Sequence, residues 1–128
     1  MDDPAPIRSY KDLEDWQLAM DLIEQCYKAT SRFPRDEVFG MTTQIRRASV
    51  SIAANIAEGY GRELTGSFIQ FLRIAQGSVK ELETHWLIAE RVELATADET
   101  APSLQMCERL SKMPRNLIRA LERKAAAE

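Results

Sequence analysis

The sequence predicts an all-α protein with four helices, and no segment is typical of a β-strand. Apolar residues recur at three- and four-residue steps in four segments, which is the period of an amphipathic helix. Proline and glycine separate the first three segments, at Pro34, Gly40 and Gly61. We expect a flexible N-terminal arm over 1–11, one helical domain over 12–124 with helices at about 12–31, 42–58, 65–92 and 98–124, and a frayed C-terminus over 125–128.

Length and composition agree with one domain of a soluble protein. The chain has 128 residues, of which 45% are hydrophobic and 29% charged. No apolar run approaches the roughly 20 residues that span a bilayer, and the acidic, proline-rich start is the reverse of a signal peptide. Cys26 and Cys107 have no metal-binding or redox spacing, which favours a reducing compartment. We therefore expect a cytoplasmic protein with no membrane association.

The first predicted helix has an unusually wide apolar surface. Asp12 is the expected N-cap, since a short acidic side chain can accept hydrogen bonds from the first free amides. A helix in a simple bundle needs a single apolar stripe, whereas this one is apolar over more than half of its circumference. The residues concerned are Leu13, Trp16, Met20, Ile23 and Tyr27, together with Leu18, Ala19, Leu22 and Cys26.

The second predicted helix is apolar or small on two sides. One stripe contains Met41, Ile45, Ala48, Ile52 and Ile56, and the other contains Val50, Ala54 and Ala57. Such a helix is buried on both sides or lies where two subunits meet. We expect it to end at Gly59-Tyr60-Gly61, where a glycine can adopt the left-handed conformation of a C-cap.

The third and fourth predicted helices have a single apolar face each. Gly77 lies in the middle of the third helix, where glycine costs roughly 1 kcal/mol relative to alanine, and a close helix crossing would explain it. Asp98 is the expected N-cap of the fourth helix.

The second helix also carries a resemblance to a known family. The segments Gln44-Ile-Arg-Arg-Ala, Ser51-Ile, Asn55-Ile-Ala-Glu-Gly and Gly61-Arg62 resemble the signature of a small bacterial family of four-helix bundle proteins. Its members include proteins encoded within intervening sequences of large-subunit ribosomal RNA genes. The accessory variability determinant protein of diversity-generating retroelements is a related branch. The similarity extends to Tyr10-Lys-Asp-Leu, Trp16-Gln, Phe33-Pro34, Phe68, Phe71-Leu72, Ile74-Ala75, Gly77-Ser78 and Glu81-Leu82-Glu83.

The resemblance implies an antiparallel, up-down-up-down four-helix bundle assembled into a ring-like homo-oligomer, with five subunits as the implied number. It says little about biochemical activity, since most members of the family have no assigned function. The polar residues of the signature are predicted to be structural, because no histidine, cysteine or lysine accompanies them as a catalytic partner. This structural motif comprises Ser51, Asn55, Glu58, Gly59 and Arg62.

Positive charge is concentrated in the middle of the chain. Residues 41–80 have five basic and two acidic side chains, a net charge of +3, between segments of −4 (five basic, nine acidic) and −2 (seven basic, nine acidic). Helix 4 adds a basic face that includes Arg115 and is either an ordinary solvated surface or a phosphate-binding one. The arginines of the central segment, Arg62 and Arg73 among them, either form salt bridges with Glu58, Glu63 or Glu81 or contact phosphate. The candidate nucleic-acid contacts are Arg46, Arg47, Arg109, Lys112, Arg119 and Arg123.

No catalytic, cofactor-binding or metal-ligating residues are expected. His85 is the single histidine, and a carboxylate-bridged metal site in a bundle needs Glu-x-x-His pairs on two helices. Its spacing from Glu81 predicts an i,i+4 contact instead. The sequence thus predicts a cytosolic, non-enzymatic binding or scaffolding module for RNA or a nucleic-acid-bound protein, without a small-molecule substrate. The alternative is a protein–protein adaptor that binds no nucleic acid.

Overall fold

The computed structural model describes residues 6–38 and 40–127, and in these it contains four α-helices and no strand. The all-α prediction is therefore confirmed. Helices α1 and α3 each pack against both α2 and α4, so the four helices surround a common core. Their bounds are Glu14–Thr30 for α1, Met41–Tyr60 for α2, Thr65–Arg91 for α3 and Ala97–Ala127 for α4.

Each helix contributes an apolar stripe to this core. Trp86 of α3 is fully buried, and the ring of Phe33 meets its indole edge to face at a centroid distance of 6.0 Å. An aromatic pair of this kind adds about 0.5–1.5 kcal/mol beyond the area that it buries. Other fully buried members of the core are Leu22, Cys26, Ile45, Ile52, Ile56, Leu72, Leu82, Cys107 and Leu110.

The start of the domain differs from the sequence prediction. Asp12 does not cap α1, whose N-cap is Leu13 without a side-chain hydrogen bond. The Asp12 carboxylate instead accepts hydrogen bonds from the amides of Arg8 (2.9 Å) and Ser9 (3.1 Å) and closes a 3-10 helix, Tyr10–Asp12. Because the Tyr10 ring also packs on Trp16 at 5.3 Å, the end of the expected arm is part of the fold. Residues 1–5 of that arm lie outside the described residues.

The left-handed C-cap occurs at a different helix from the one predicted. Gly61 follows α2 with a φ of −71°, in the right-handed region. Among the described residues, the one with positive φ is Glu93, at 64°, two residues after the end of α3. The amide of Leu94 donates to the carbonyl of Ala89 (2.9 Å) and that of Glu93 to Glu90 (3.1 Å), which is the hydrogen-bond pattern of a Schellman motif.

The ends of α4 also differ from prediction. Its first turn is capped by Thr96 rather than Asp98. The Thr96 hydroxyl accepts from the amide of Glu99 (3.2 Å), and the Glu99 carboxylate accepts from the amide of Thr96 (2.9 Å), a capping box. The helix continues through the buried Pro114 to Ala127, so most of the expected frayed terminus is helical. Glu128 lies outside the described residues.

The close helix crossing occurs at Gly59 and not at Gly77. A Cβ atom on Gly59 would lie 2.6 Å from the Cβ of Phe71 and 3.0 Å from Cδ1 of Phe68. A Cβ atom on Gly77 would have no neighbour within 4 Å, and the residue is exposed. The prediction for Gly77 was wrong because helical spacing alone does not tell which side of a glycine a neighbouring helix approaches.

Candidate functional site

The polar residues of the α2 signature link α2 to α3. The hydroxyls of Ser51 and Ser78 are 2.9 Å apart, across the two helices. The side-chain amide of Asn55 donates to the carbonyl of Ser51 at 2.8 Å and lies 3.1 Å from its hydroxyl. These groups form hydrogen bonds with one another, as half-buried polar groups generally do. Hydroxyl and amide alone supply no general base, so the cluster holds a helix contact together.

The remaining residues of the signature lie at the end of α2, where this helix contacts α3. Arg62 donates to the Glu58 carboxylate at 3.0 Å, and its guanidinium lies 5.0 Å from the centre of the Phe71 ring. Both charged side chains are about half exposed, at 51% and 56%. An exposed pair of this kind contributes about 0–1 kcal/mol. With Gly59 directly beside Phe71, these residues set the approach of α2 to α3.

Arg46 and Arg47 have different surroundings, although they are adjacent in sequence. Arg46 donates from Nε to the Thr30 hydroxyl at 2.9 Å, and its guanidinium lies over the Tyr27 ring at 4.4 Å. Arg46 therefore links α2 to α1. Arg47 is exposed and lines a depression of about 480 Å³ with Tyr27, Arg46 and Val50. Arg47 is the more exposed of the two, and its guanidinium is the more available to a ligand.

The basic residues of α4 are divided among separate surfaces, whereas the sequence predicted one basic face. Arg109 lies in a depression next to α1, beside Glu14 and Asp21. Lys112 is 3.5 Å from Glu108 of the same helix. Arg119 lies on the side that faces α3, and Arg123 is exposed in the last turns. Arg109 and Arg119 therefore lie on different sides of α4 and do not form one patch.

A groove between α3 and α4 brings together basic residues from both helices. Arg73, Gly77 and Lys80 of α3 face Arg115 and Arg119 of α4. Lys80 was not among the predicted contacts, and Arg73 and Arg115 were noted only within larger basic groups. The spacing of seven residues between Arg73 and Lys80, two helical turns, is the sequence signal that would have placed both on one face.

Within the described residues, the cysteines and the histidine are not grouped as a reactive centre. Burial raises the pKa of the Cys26 thiol to about 11 and raises that of Cys107 still further, so both remain protonated and weakly nucleophilic. Nε2 of His85 lies 3.4 Å from the Glu81 carboxylate, the predicted i,i+4 contact. Within residues 6–38 and 40–127, no three His, Cys, Asp or Glu side chains are grouped so as to hold a metal ion.

None of the helices described is both long and apolar enough to cross a membrane.

A comparison with known protein families identifies the family of the chain. Residues 11–116 match the model of the 23S rRNA-intervening sequence protein family, which is most of the chain. The chain belongs to this family. The resemblance carried by the α2 signature is thus confirmed.

A solved structure has a similar fold. It is a protein of unknown function of the S23 ribosomal protein family from Bacteroides thetaiotaomicron VPI-5482. The two share 23% sequence identity and superpose with a TM-score of 0.73, over 81% of the present chain and 97% of the other. At this identity the similarity establishes the fold alone. A comparison with curated protein sequences gave no significant match.

Proposed function

We propose that this 23S rRNA-intervening sequence protein is a non-enzymatic scaffolding module that self-associates and holds RNA or a ribonucleoprotein in the cytoplasm. The observation that carries the proposal is an apolar surface on α1 and α2 that the chain's own core does not use. Met20, Tyr27 and Val50 are 39%, 43% and 42% exposed. These residues belong to the apolar sides of α1 and α2 that exceed what one bundle requires.

We propose that the helices run up-down-up-down, so that α1 and α2 are antiparallel neighbours with a continuous outer face. The order of contacts supports this topology for α2 and α3. Ser51 meets Ser78, and Gly59, further along α2, meets the earlier residue Phe71. Short connections between successive helices favour the same arrangement throughout.

We propose that a second copy of the chain covers the apolar face. The depression beside Val50 is bordered by Arg46 and Arg47, while the depression between α1 and α4 is bordered by Glu14 and Asp21 with one cation, Arg109. These surfaces differ in position and are complementary in charge, which suits a heterologous contact between neighbours. Contacts of that type close into rings when the rotation allows it. Five subunits is the number that the family resemblance implies.

Light scattering coupled to size exclusion tests the self-association. We expect a mass several times that of the 14.5 kDa chain at micromolar concentration. Val50→Glu should shift the mass toward one chain, because desolvating a carboxylate in the contact costs several kcal/mol, which pairing with the adjacent Arg46 or Arg47 does not fully offset. Leu87→Glu, at a comparably exposed apolar position on α3, is the control and should leave the assembly intact. A wild-type mass near one chain, or equal effects of both variants, would contradict the proposal.

The rival function, a protein–protein adaptor, differs in its response to nucleic acid. We expect the assembled protein to bind single-stranded RNA weakly and with steep salt dependence, because phosphate contacts displace counterions. Fluorescence anisotropy at two salt concentrations measures this. An assembled protein that binds no RNA at low salt would favour the adaptor.

A further inference from the structure

We propose that the groove between α3 and α4 is a binding site for the backbone phosphates of a single nucleic-acid strand. This inference rests on the proposed function, since it assigns a surface to the RNA partner. The groove has a volume of about 540 Å³ and is open to solvent. Its α3 side contains Arg73, Gly77 and Lys80, and its α4 side contains Arg115 and Arg119.

Positive charge exceeds negative charge among the residues that line the groove. Four cations and one carboxylate, Glu122, leave a net charge of +3. Arg73 lies 3.8 Å from Glu122, a long contact between side chains that are both more than half exposed. Within the described part of the chain, Arg115 and Arg119 have no acidic partner within 4.0 Å. Facing cations repel one another, and an anionic ligand relieves that repulsion.

The lysine of the groove is positioned by contacts on both helices. Nζ of Lys80 lies 3.0 Å from the Glu83 carboxylate and 3.3 Å from the Ser111 hydroxyl of α4. Ser111 in turn donates to the carbonyl of Cys107 at 2.9 Å. The ammonium is therefore held at the edge of the groove, close to the arginines of α4.

Gly77 leaves the floor of the groove open. A side chain there would project into empty space, because no atom lies within 4 Å of its Cβ position. A ligand can therefore approach the backbone of α3 between Arg73 and Lys80. In this role Gly77 provides access to the groove, which accounts for an exposed glycine in the middle of a helix.

The distribution of cations favours a chain of phosphates over a single anion. Arg73 and Lys80 are seven residues apart, so they are separated by about 10 Å along α3. Arg115 and Arg119 are four residues apart, about 6 Å along α4. Guanidinium groups bind phosphate oxygens in a bidentate manner. A groove with cations over this length and open to solvent suits a polymer that carries one charge per repeating unit.

The groove offers mainly phosphate contacts and few groups that could read a base. No aromatic side chain is among the residues that line it, so bases cannot stack there as they do in sequence-tolerant single-strand sites. Contacts to phosphate and sugar position a strand and carry no sequence information. Binding at this site should therefore depend mainly on the phosphates and only weakly on sequence, with Gln76 and Ser111 as the uncharged polar side chains that line the groove.

The test is fluorescence anisotropy of the full-length protein with a labelled single-stranded RNA of mixed sequence. Arg115→Gln with Arg119→Gln should weaken binding about 25-fold at 0.1 M salt, since each contact to a single strand releases about 0.7 counterion and contributes about fivefold. The slope of log K against log salt should fall by about 1.4. The matched control, Arg109→Gln with Lys112→Gln, removes two cations of the same helix outside the groove and should change binding less than twofold.

A second variant distinguishes binding in the groove from binding that depends only on the overall charge of the protein. Gly77→Leu fills the floor of the groove without altering any charge, and it should weaken binding about as strongly as removing the two arginines. Leucine is a better helix former than glycine, so the variant should fold. Polyglutamate serves as the competitor, and we expect it to displace RNA poorly.

Several outcomes would overturn the assignment. One is an equal loss of RNA binding in the groove variant and the control variant, and another is unchanged RNA binding by Gly77→Leu. A third is ready displacement of the labelled RNA by polyglutamate, which would indicate an acidic-peptide site. Wild-type protein that assembles but binds no RNA also overturns it, while self-association stands on the light-scattering result. RNA binding that persists in both groove variants leaves the proposed function intact and moves the site elsewhere.

Discussion

Gly59 provides the sharpest test of how the second and third helices pack. Substitution by alanine adds a single methyl group to the end of α2, at a position where the residue is buried. That methyl would lie 2.6 Å from the Cβ of Phe71 and 3.0 Å from Cδ1 of Phe68. A carbon–carbon contact is optimal at about 3.5–4.0 Å. Because the nearer atom is bonded directly to the α3 backbone, no side-chain rotation can relieve the contact, and the helices must separate.

The change in stability caused by Gly59→Ala is the sum of two opposing effects. Overpacking a close contact costs about 1–3 kcal/mol, and replacing glycine by alanine inside a helix gains about 0.8–1.0 kcal/mol. Gly77→Ala isolates the second effect, since its new methyl has no neighbour within 4 Å. We expect Gly77→Ala to stabilise the protein by about 1 kcal/mol. The difference between the two variants measures the packing cost, and we expect it to be about 1–3 kcal/mol.

Denaturant unfolding followed by circular dichroism measures both variants. All samples need the same protein concentration, because self-association contributes to the apparent stability. For a chain of this length, 1 kcal/mol corresponds to roughly 4 °C in melting temperature. If Gly59→Ala is as stabilising as Gly77→Ala, the close approach of α2 to α3 at this position is wrong.

Three further variants test other features of the structure. Burial and the charge of Glu14 raise the pKa of Asp15 from 3.8 to about 6, so its contribution to stability is full below pH 4 and is lost as the pH rises through 6. Asp15→Asn should stabilise the protein by up to about 3 kcal/mol at pH 7 and not at pH 4, and equal effects at both pH values in urea unfolding would contradict this. Glu93→Gly should raise the melting temperature, because the left-handed conformation costs a side chain roughly 1–2 kcal/mol; an unchanged melting temperature would argue against the Schellman motif. Asn55→Ala should destabilise by about 1 kcal/mol through loss of its hydrogen bonds to Ser51, while full stability with loss of RNA binding would make it a ligand contact.

The sequence alone was sufficient to predict the class of fold and the family. Apolar residues at helical spacing, such as Ile45, Ile52 and Ile56, are buried in the core. Helical periodicity follows from local geometry and from the need to bury one face, so it can be read without knowledge of the neighbouring helices. The signature from Gln44 to Arg62 could also be recognised from the sequence, because it is a continuous segment.

Helix ends were predicted less well, because several residues compete for the same role. Asp12 and Asp98 are both good N-caps by type. Asp12 is used by the preceding 3-10 helix, and Thr96 with Glu99 forms the capping box of α4. The left-handed residue is Glu93 and not a glycine. Residue preference favours such positions by about 1 kcal/mol, which tertiary packing easily outweighs.

Only the tertiary structure decided which basic residues lie together. Arg109, Lys112 and Arg119 share one side of α4 in a helical projection, yet α1 and α3 flank that side and separate them. Arg119 instead faces Arg73 and Lys80, which lie about 40 residues away in the chain on α3. A helical wheel describes one helix, whereas a groove is formed by two. The sequence by itself therefore determined what each helix buries, and the packing of α3 against α4 determined the surface that it offers to a partner.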